Sequence, residues 1–286
     1  MKSIEPKDIS TKDLHGYLLS AVSPRPIGFI STVDKEGIPN LSPFSFFNVF
    51  SANPPILIFS PARRVRDNTV KDTLVNCIET KQAVVNIVDY KMVQQMSLSS
   101  SEYSSEVDEF VKAGFTALES DLVSPPRVGE APVQFECVIE EVKALGSEGG
   151  AGNLILAKVV KLHINEEILN EQGGIDPLKL DVVSRMGGAY YSRALEGAFT
   201  IPKPLTHLGV GFDALPLEIK ESEVLTGNEL ALLAGVSQIP DFDTVDKFIK
   251  ENQIPIMKES VKKHKFASEL LKEHKITAAW CVLLQK

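Results

Sequence analysis

Cysteine is scarce: Cys77, Cys137 and Cys281 are scattered through 286 residues with no paired spacing. Neither a disulfide framework nor a thiolate metal site follows from them, and buried free thiols are expected. No apolar run approaches the roughly 20 residues that span a bilayer. The N-terminal MKSIEPKDIS has no basic segment followed by an apolar one, so no signal peptide is expected either. These absences describe a soluble cytoplasmic chain without a membrane partner. Positive charge is also in deficit, 30 Lys and Arg against 38 Asp and Glu, for a net charge of −8. That excludes sequence-independent nucleic-acid binding, which needs a basic stripe. The one basic cluster, ARRVR at 62–66, is large enough only for a single phosphate.

Familiar catalytic motifs are missing as well. His15, His163, His207, His264 and His274 form no HExxH pair and no grouping with cysteine, so no metal is expected. His264 and His274 sit among lysines, on what reads as a helical surface. No nucleophile elbow GxSxG occurs. GVGFDA at 209–214 matches the dinucleotide fingerprint GxGxxA, but Pro204 and Pro216 deny it the preceding strand and following helix. It reads as a plain glycine loop.

What is present is a well-patterned globular chain, 43 % apolar and 24 % charged. KDLHGYLLSAV (12–22) has the spacing of a short amphipathic helix. PIGFISTVDKEGIPNLSPF reads as two strands joined by a turn at Asp34–Gly37, with Gly37 free to take positive φ. ILIFS (56–60) and AVVNIVDY (83–90) read as strands, and DNTVKDTLVNCIETKQ (67–82) as a helix with Val70, Leu74, Cys77 and Ile78 on one face. VQFECVIEEVKAL (133–145) and NLILAKVVKLHI (153–164) alternate as two long antiparallel strands around the loop GSEGGAG. Short connections without strand–helix–strand alternation favour an antiparallel barrel or sandwich. After about residue 200 the composition turns helical, in a separate appendage whose apolar faces, Phe248, Ile249, Phe266 and Leu270 among them, must pack against the barrel or another subunit.

The stretch SPFSFFNVFSANPPILIFSP (42–61) sets small polar groups, Ser42, Ser45, Asn48 and Ser51, between phenylalanines. It is too polar for a core strand and too aromatic for a solvated loop. RRVRDNTVKDT (63–73) follows, with Arg64, Lys71 and Thr73 at a helix start, where cations, a hydroxyl and free amides suit a phosphate. Ordinary capping of a solvated helix is the plainer reading of that segment alone. Taken with the hydroxyls upstream, it points to a ligand with a phosphate and a flat apolar ring. SRMGGAYYSR (184–193) adds Arg185, Tyr190 and Tyr191 around two glycines that permit close backbone approach.

In consistent order, PRPIGFISTVDKEGIPNLSPFSFFNVFSANPPILIFSP, KDT, AVVNIV, GFTALESDLVSPPRVGEAPVQFEC and SRMGGAYYSR resemble the flavin reductase-like family over roughly residues 10–200. The resemblance implies a mainly β fold with peripheral helices: a six-stranded antiparallel Greek-key split barrel over 10–200, here followed by a helix-rich extension at 201–286. It also implies a homodimer with FMN, rather than FAD, near the subunit interface. Carried over, Ser42, Pro43, Ser45, Phe47 and Asn48 would contact flavin and ribityl phosphate. Ser31 and Thr32 would lie beside the ring, Arg64, Lys71 and Thr73 would hold the phosphate, and Arg185, Tyr190 and Tyr191 would border the nicotinamide or acceptor side. The implied activity is hydride transfer from NADH or NADPH to flavin N5, with a small acceptor, a monooxygenase or another redox partner downstream. A non-enzymatic flavoredoxin-type electron carrier is the alternative.

Overall fold

The structure is a computed structural model that describes residues 1–101, 103–104, 106–201 and 208–285. Pro204 and His207 lie outside the described residues. The chain divides into two compact units, Met1–Phe199 and Thr200–Lys286.

The first unit is built around one antiparallel sheet. Strands β1 (Gly28–Val33) and β2 (Pro39–Phe44) form the expected hairpin, turning through Gly37 at φ +86°. Asp34 Oδ1 closes that turn by accepting the amides of Glu36 and Ile38. β3 (Phe47–Ala52) and β4 (Pro55–Phe59) form a second hairpin, and β5 (Gln82–Ile87), β6 (Val133–Ala144) and β7 (Asn153–Ile164) complete the sheet. The strand order is β2-β1-β5-β6-β7-β4-β3. Its two edge strands, β2 and β3, are joined only by Ser45 and Phe46, so the sheet must curl until its edges adjoin. Phe44 on β2 meets Phe59 on β4 at a ring-centroid distance of 5.9 Å. A Cβ at Gly28 would lie 2.9 Å from Phe47 Cγ, so only glycine allows this closure. Among the described residues this sheet has seven strands rather than six. The extra strand is β3, where the hydroxyl–aromatic stretch breaks at Ser45 and pairs onward with β4.

Both faces of β1 are buried, and its side chains divide by alternation. Ile30 joins Phe44, Phe59, Leu74, Val85, Cys137 and Ile155 in the barrel interior. Phe29 joins Leu41, Met92, Met96 and Phe110 under helices α3 (Val93–Ser99) and α4 (Glu109–Ala113). Helix α1 (Thr11–Ala21) precedes the barrel, and α2 (Asp72–Thr80) packs Leu74 and Cys77 into it. All three cysteines are buried free thiols, and burial pushes Cys77 up to about 12.

Helix α2 begins at Asp72, five residues later than its sequence pattern suggests. Asp67 accepts both the amide and the hydroxyl of Thr69, and Asn68 takes φ +58°, so residues 67–69 form a turn of their own. Val70 therefore precedes the helix, and Ile78 faces outward at 48 % exposure.

The second unit packs α5 (Gly227–Ala234), α6 (Phe242–Glu251), α7 (Ser260–Lys272) and α8 (Ile276–Leu284). A capping box between Thr226 and Glu229 starts α5. Phe248, Ile249, Phe266 and Leu270 pack into the apolar clusters of this unit, with Phe248, Phe266 and Leu270 left partly buried around an open apolar cavity. His264 is buried at 6 % exposure, not on the helical surface, and burial lowers its pKa. GVGFDA leads through Gly211 (φ +85°) into a three-residue 3₁₀ turn, so no helix N-terminus awaits a pyrophosphate there.

Candidate functional site

A small polar concave site lies where β2 meets the start of α2. Alternation along β2 turns Asn40 and Ser42 to the same side. The chain then supplies Arg64, Lys71, Asp72 and Thr73 from the loop and first turn of α2. Ser99–Ser101, Tyr103 and Glu109 close the cavity from the α3–α4 segment. Lys71 Nζ donates to Ser42 Oγ at 3.0 Å and lies 5.3 Å above the Phe44 ring. Arg64 Nη1 donates to Thr69 Oγ1 and to the Val70 carbonyl, which places its guanidinium beside the helix start. Thr73 Oγ1 donates to Asn40 Oδ1 at 2.7 Å, and Asn40 Nδ2 donates to Glu109 Oε1 at 3.2 Å.

Ser42, Arg64, Lys71 and Thr73, singled out in the sequence, thus line one cavity. Asn40 and Glu109 were missed. Asn40 was within reach of a period-two reading from Ser42; Glu109 lies 68 residues from its partner Leu41 and had no local signal. Burial pushes the Glu109 carboxyl up, and the like charges of Asp72 and Asp108 add to the shift.

The aromatic corner is a second cluster. Ser45 Oγ accepts from Arg25 Nε at 3.3 Å, Phe47 packs on the barrel interior, and Asn48 is exposed with Oδ1 accepting the Val49 amide. Pro43 is half-buried opposite Phe29. Arg25, only 6 % exposed, also donates to the carbonyls of Leu19 and Val22 at the end of α1 and to that of Met186. It ties the corner to the hairpin of Val183–Arg185 and Tyr191–Arg193, where Arg185 lies 4.6 Å over the Tyr191 ring and Arg185 Nη1 donates to the Tyr190 carbonyl. Arg185, Tyr190 and Tyr191 are therefore together on an exposed hairpin. The role of Arg25 as the joint was not read from PRP. Burial lowers its pKa, with the charge of Arg185 acting in the same direction.

Ser31 and Thr32 do not line either cluster. Both are fully buried, on opposite faces of β1, and Thr32 Oγ1 accepts from Asn76 Nδ2. Ser31 Oγ, by contrast, is a buried side-chain oxygen with no hydrogen-bond partner among the described residues.

Asp121, Glu136 and His163 bring three potential metal-ligand atoms within 4.8 Å of one another. Each of those side chains already has a protein partner. Glu136 accepts the amides of Asp121 and Leu122 and bonds His163 Nε2, while Lys161 pairs with Asp121. The trio clamps the loop before β6 onto the sheet. Among the described residues, no helix is long and apolar enough to cross a membrane.

The family model described as the flavin reductase like domain matches residues 20–189. The chain belongs to this family. An uncharacterized protein of Aquifex aeolicus is 38 % identical over 188 residues, which cover 66 % of this chain and 93 % of that one. Among solved structures, nitrilotriacetate monooxygenase component B from Bacillus cereus is 33 % identical with a TM-score of 0.65, covering 70 % of this chain and 98 % of its own. The Pseudomonas fluorescens 2-nitrobenzoate 2-nitroreductase NbaA is 25 % identical with a TM-score of 0.65, covering 73 % of this chain and all of its own (100 %).

Proposed function

We propose that this chain is an FMN-binding oxidoreductase that takes hydride from NADH or NADPH and hands electrons to a small acceptor or a partner monooxygenase. The observation that carries this reading is the cavity where Lys71, Arg64, Thr73 and Ser42 converge at the uncapped start of α2. Cationic and hydroxyl donors beside free helix amides are the donor set of a phosphate site. When bound, the flavin would supply the hydride chemistry, so an acid or base side chain is not required of the protein. Lys71, Thr73, Ser42 and Arg64 would hold its phosphate. Ser45, Phe47 and Asn48 would border the ring, and Arg185, Tyr190 and Tyr191 the nicotinamide or acceptor side. The monooxygenase component and the nitroreductase among its relatives support electron delivery to a partner or to a small acceptor.

The flavin domain is assigned to residues 10–200, and 201–286 form an extension that supplies none of these groups. Action in the cytoplasm, where nicotinamide nucleotides are available, fits the charge and composition of the chain. Stopped-flow absorbance of the FMN-loaded protein tests the proposal: bleaching of the flavin on adding NADH or NADPH is expected. Flavin that stays oxidised with both nucleotides would overturn it in favour of the flavoredoxin-type carrier.

Assembly is proposed to be a homodimer through the barrel. Strand β3 presents the apolar side chains Val49 and Phe50 at 63 % and 66 % exposure, which a second copy would cover. Sedimentation is expected to give twice the chain mass of 31.3 kDa. A monomer across a wide concentration range would refute the dimer.

A further inference from the structure

We propose that the end of α1 positions the tip of the hairpin at 183–193, through Arg25 and through the close seat of Gly187 on Ser20. That seat sets the affinity for the nicotinamide nucleotide but not the affinity for FMN. The inference rests on the reading above, which puts Arg185, Tyr190 and Tyr191 on the nicotinamide side. Two separate anchors hold this hairpin. At its base the Val183 amide donates to the Val88 carbonyl, and Arg193 donates to Asp181 through Nε and Nη2. The Arg193 guanidinium also lies 3.8 Å from the centre of the Tyr90 ring. At the tip, Met186 donates its amide to the Tyr190 carbonyl, Tyr190 donates to the Gly187 carbonyl, and Gly188 takes φ +59°. A turn with so few bonds of its own is placed by what it rests on.

The tip rests on α1. Arg25 Nη2 donates to the Met186 carbonyl at 3.3 Å, while Nη1 donates to the carbonyls of Leu19 and Val22 and Nε to Ser45 Oγ. One planar guanidinium thus joins helix end, hairpin tip and aromatic corner in fixed directions, which a lysine ammonium on its flexible stem could not do. All four acceptors are neutral, so this buried cation has no carboxylate to offset its desolvation. The helix dipole offsets part of it. A neutral group could cap α1 alone, so the bond to Met186 is what the guanidinium adds. Gly187 makes the second contact. A Cβ there would lie 2.4 Å from Ser20 Oγ and 3.0 Å from both Cα and Cβ of Ser20. Gly187 is not among the glycines with positive φ. Nearness to α1, rather than backbone conformation, therefore requires glycine at this position. With the backbone of the tip fixed from one side, the Tyr190 ring stays exposed on the other, free to meet a ligand. Among the described residues, no bond of Arg25 goes to Ser42, Lys71 or Thr73, so the two clusters can be perturbed separately.

The test follows flavin reduction in the FMN-loaded, full-length protein by stopped flow against NADH and NADPH concentration, which separates nucleotide affinity from the limiting rate. Gly187→Ala is expected to weaken affinity for the reducing nucleotide by about three- to ten-fold and to leave the limiting rate within about two-fold, the mark of lost uniform binding. FMN affinity, from fluorescence titration, should be unchanged. Adding Ser20→Gly removes the Oγ and Cβ that the new methyl would meet, and should restore nucleotide affinity. Two unrelated structural losses would add instead. Unchanged nucleotide affinity in Gly187→Ala, or a loss that Ser20→Gly does not relieve, would overturn the inference and leave the oxidoreductase reading standing. If neither nucleotide reduces the wild-type flavin, that reading falls, and amide exchange over residues 184–193 decides the positioning. Faster exchange in Gly187→Ala that reverts with Ser20→Gly would support it, and unchanged exchange would overturn it. If Gly187→Ala does not fold, Arg25→Lys carries the same measurements, with weaker nucleotide affinity and faster exchange at the tip expected.

Discussion

Replacing both Lys71 and Thr73 by alanine is expected to weaken FMN binding by roughly 2–4 kcal/mol, because charge-assisted hydrogen bonds are the stronger class. Riboflavin, which lacks the phosphate, should bind the double variant as it binds wild type. The two side chains act from different depths. Lys71 reaches across to Ser42 and the Phe44 ring, where its ammonium is partly desolvated and its field on a phosphate is little screened. Thr73 is fully buried with its hydroxyl donated to Asn40, so alanine there also leaves Asn40 Oδ1 without that donor. Fluorescence titration of both flavins separates binding from folding. An equal loss for FMN and riboflavin would show that the cavity had collapsed and that neither residue reads the phosphate.

The second large effect concerns the helical unit. Trp280 is fully buried in its core and donates Nε1–H to the Leu233 carbonyl at 3.1 Å. Truncation of a buried tryptophan to alanine costs about 3–5 kcal/mol, and here a buried carbonyl also loses its partner. Trp280→Ala is therefore expected to move the unfolding transition of the second unit to markedly lower urea, followed by far-UV circular dichroism. The chain has one tryptophan, so wild-type fluorescence reports on this unit alone. Trp280→Phe should restore much of the loss by refilling the cavity. A cost below about 1 kcal/mol for the alanine variant would contradict this account of the core.

Hydrophobic periodicity made the strands of the barrel legible. GFISTV, AVVNIV and the two long alternating runs at 133–145 and 153–164 fold as read, because period-two patterning is a local property of the chain. The last run, ITAAWCVLLQ, could be read as helix or strand, since a uniformly apolar segment has no period to decide it. Packing of Trp280 and Val282 within a helical core makes it α8. His264 misled for the opposite reason. Lysines at 262, 263 and 265 marked its stretch as surface, yet the helix turns His264 inward beside Ala267 and Leu271.

The candidate site divides along the same line. Ser42, Arg64, Lys71 and Thr73 were legible because residue type and nearness in sequence already suit a phosphate. Ser31 and Thr32 belong to the same motif-bearing stretch, but β1 is covered on both faces, so its hydroxyls turn into the core. Sequence by itself determined the antiparallel strands, the helical extension and the residue types that line the polar cavity, all of which follow from local pattern and side-chain type. Only the tertiary structure decided which groups meet. Curling the sheet until β2 adjoins β3 sets the aromatic corner against Arg25, and folding α4 over β2 brings Glu109 across 68 residues to the Leu41 amide. Contacts of that separation depend on how the elements pack together, which no local pattern encodes.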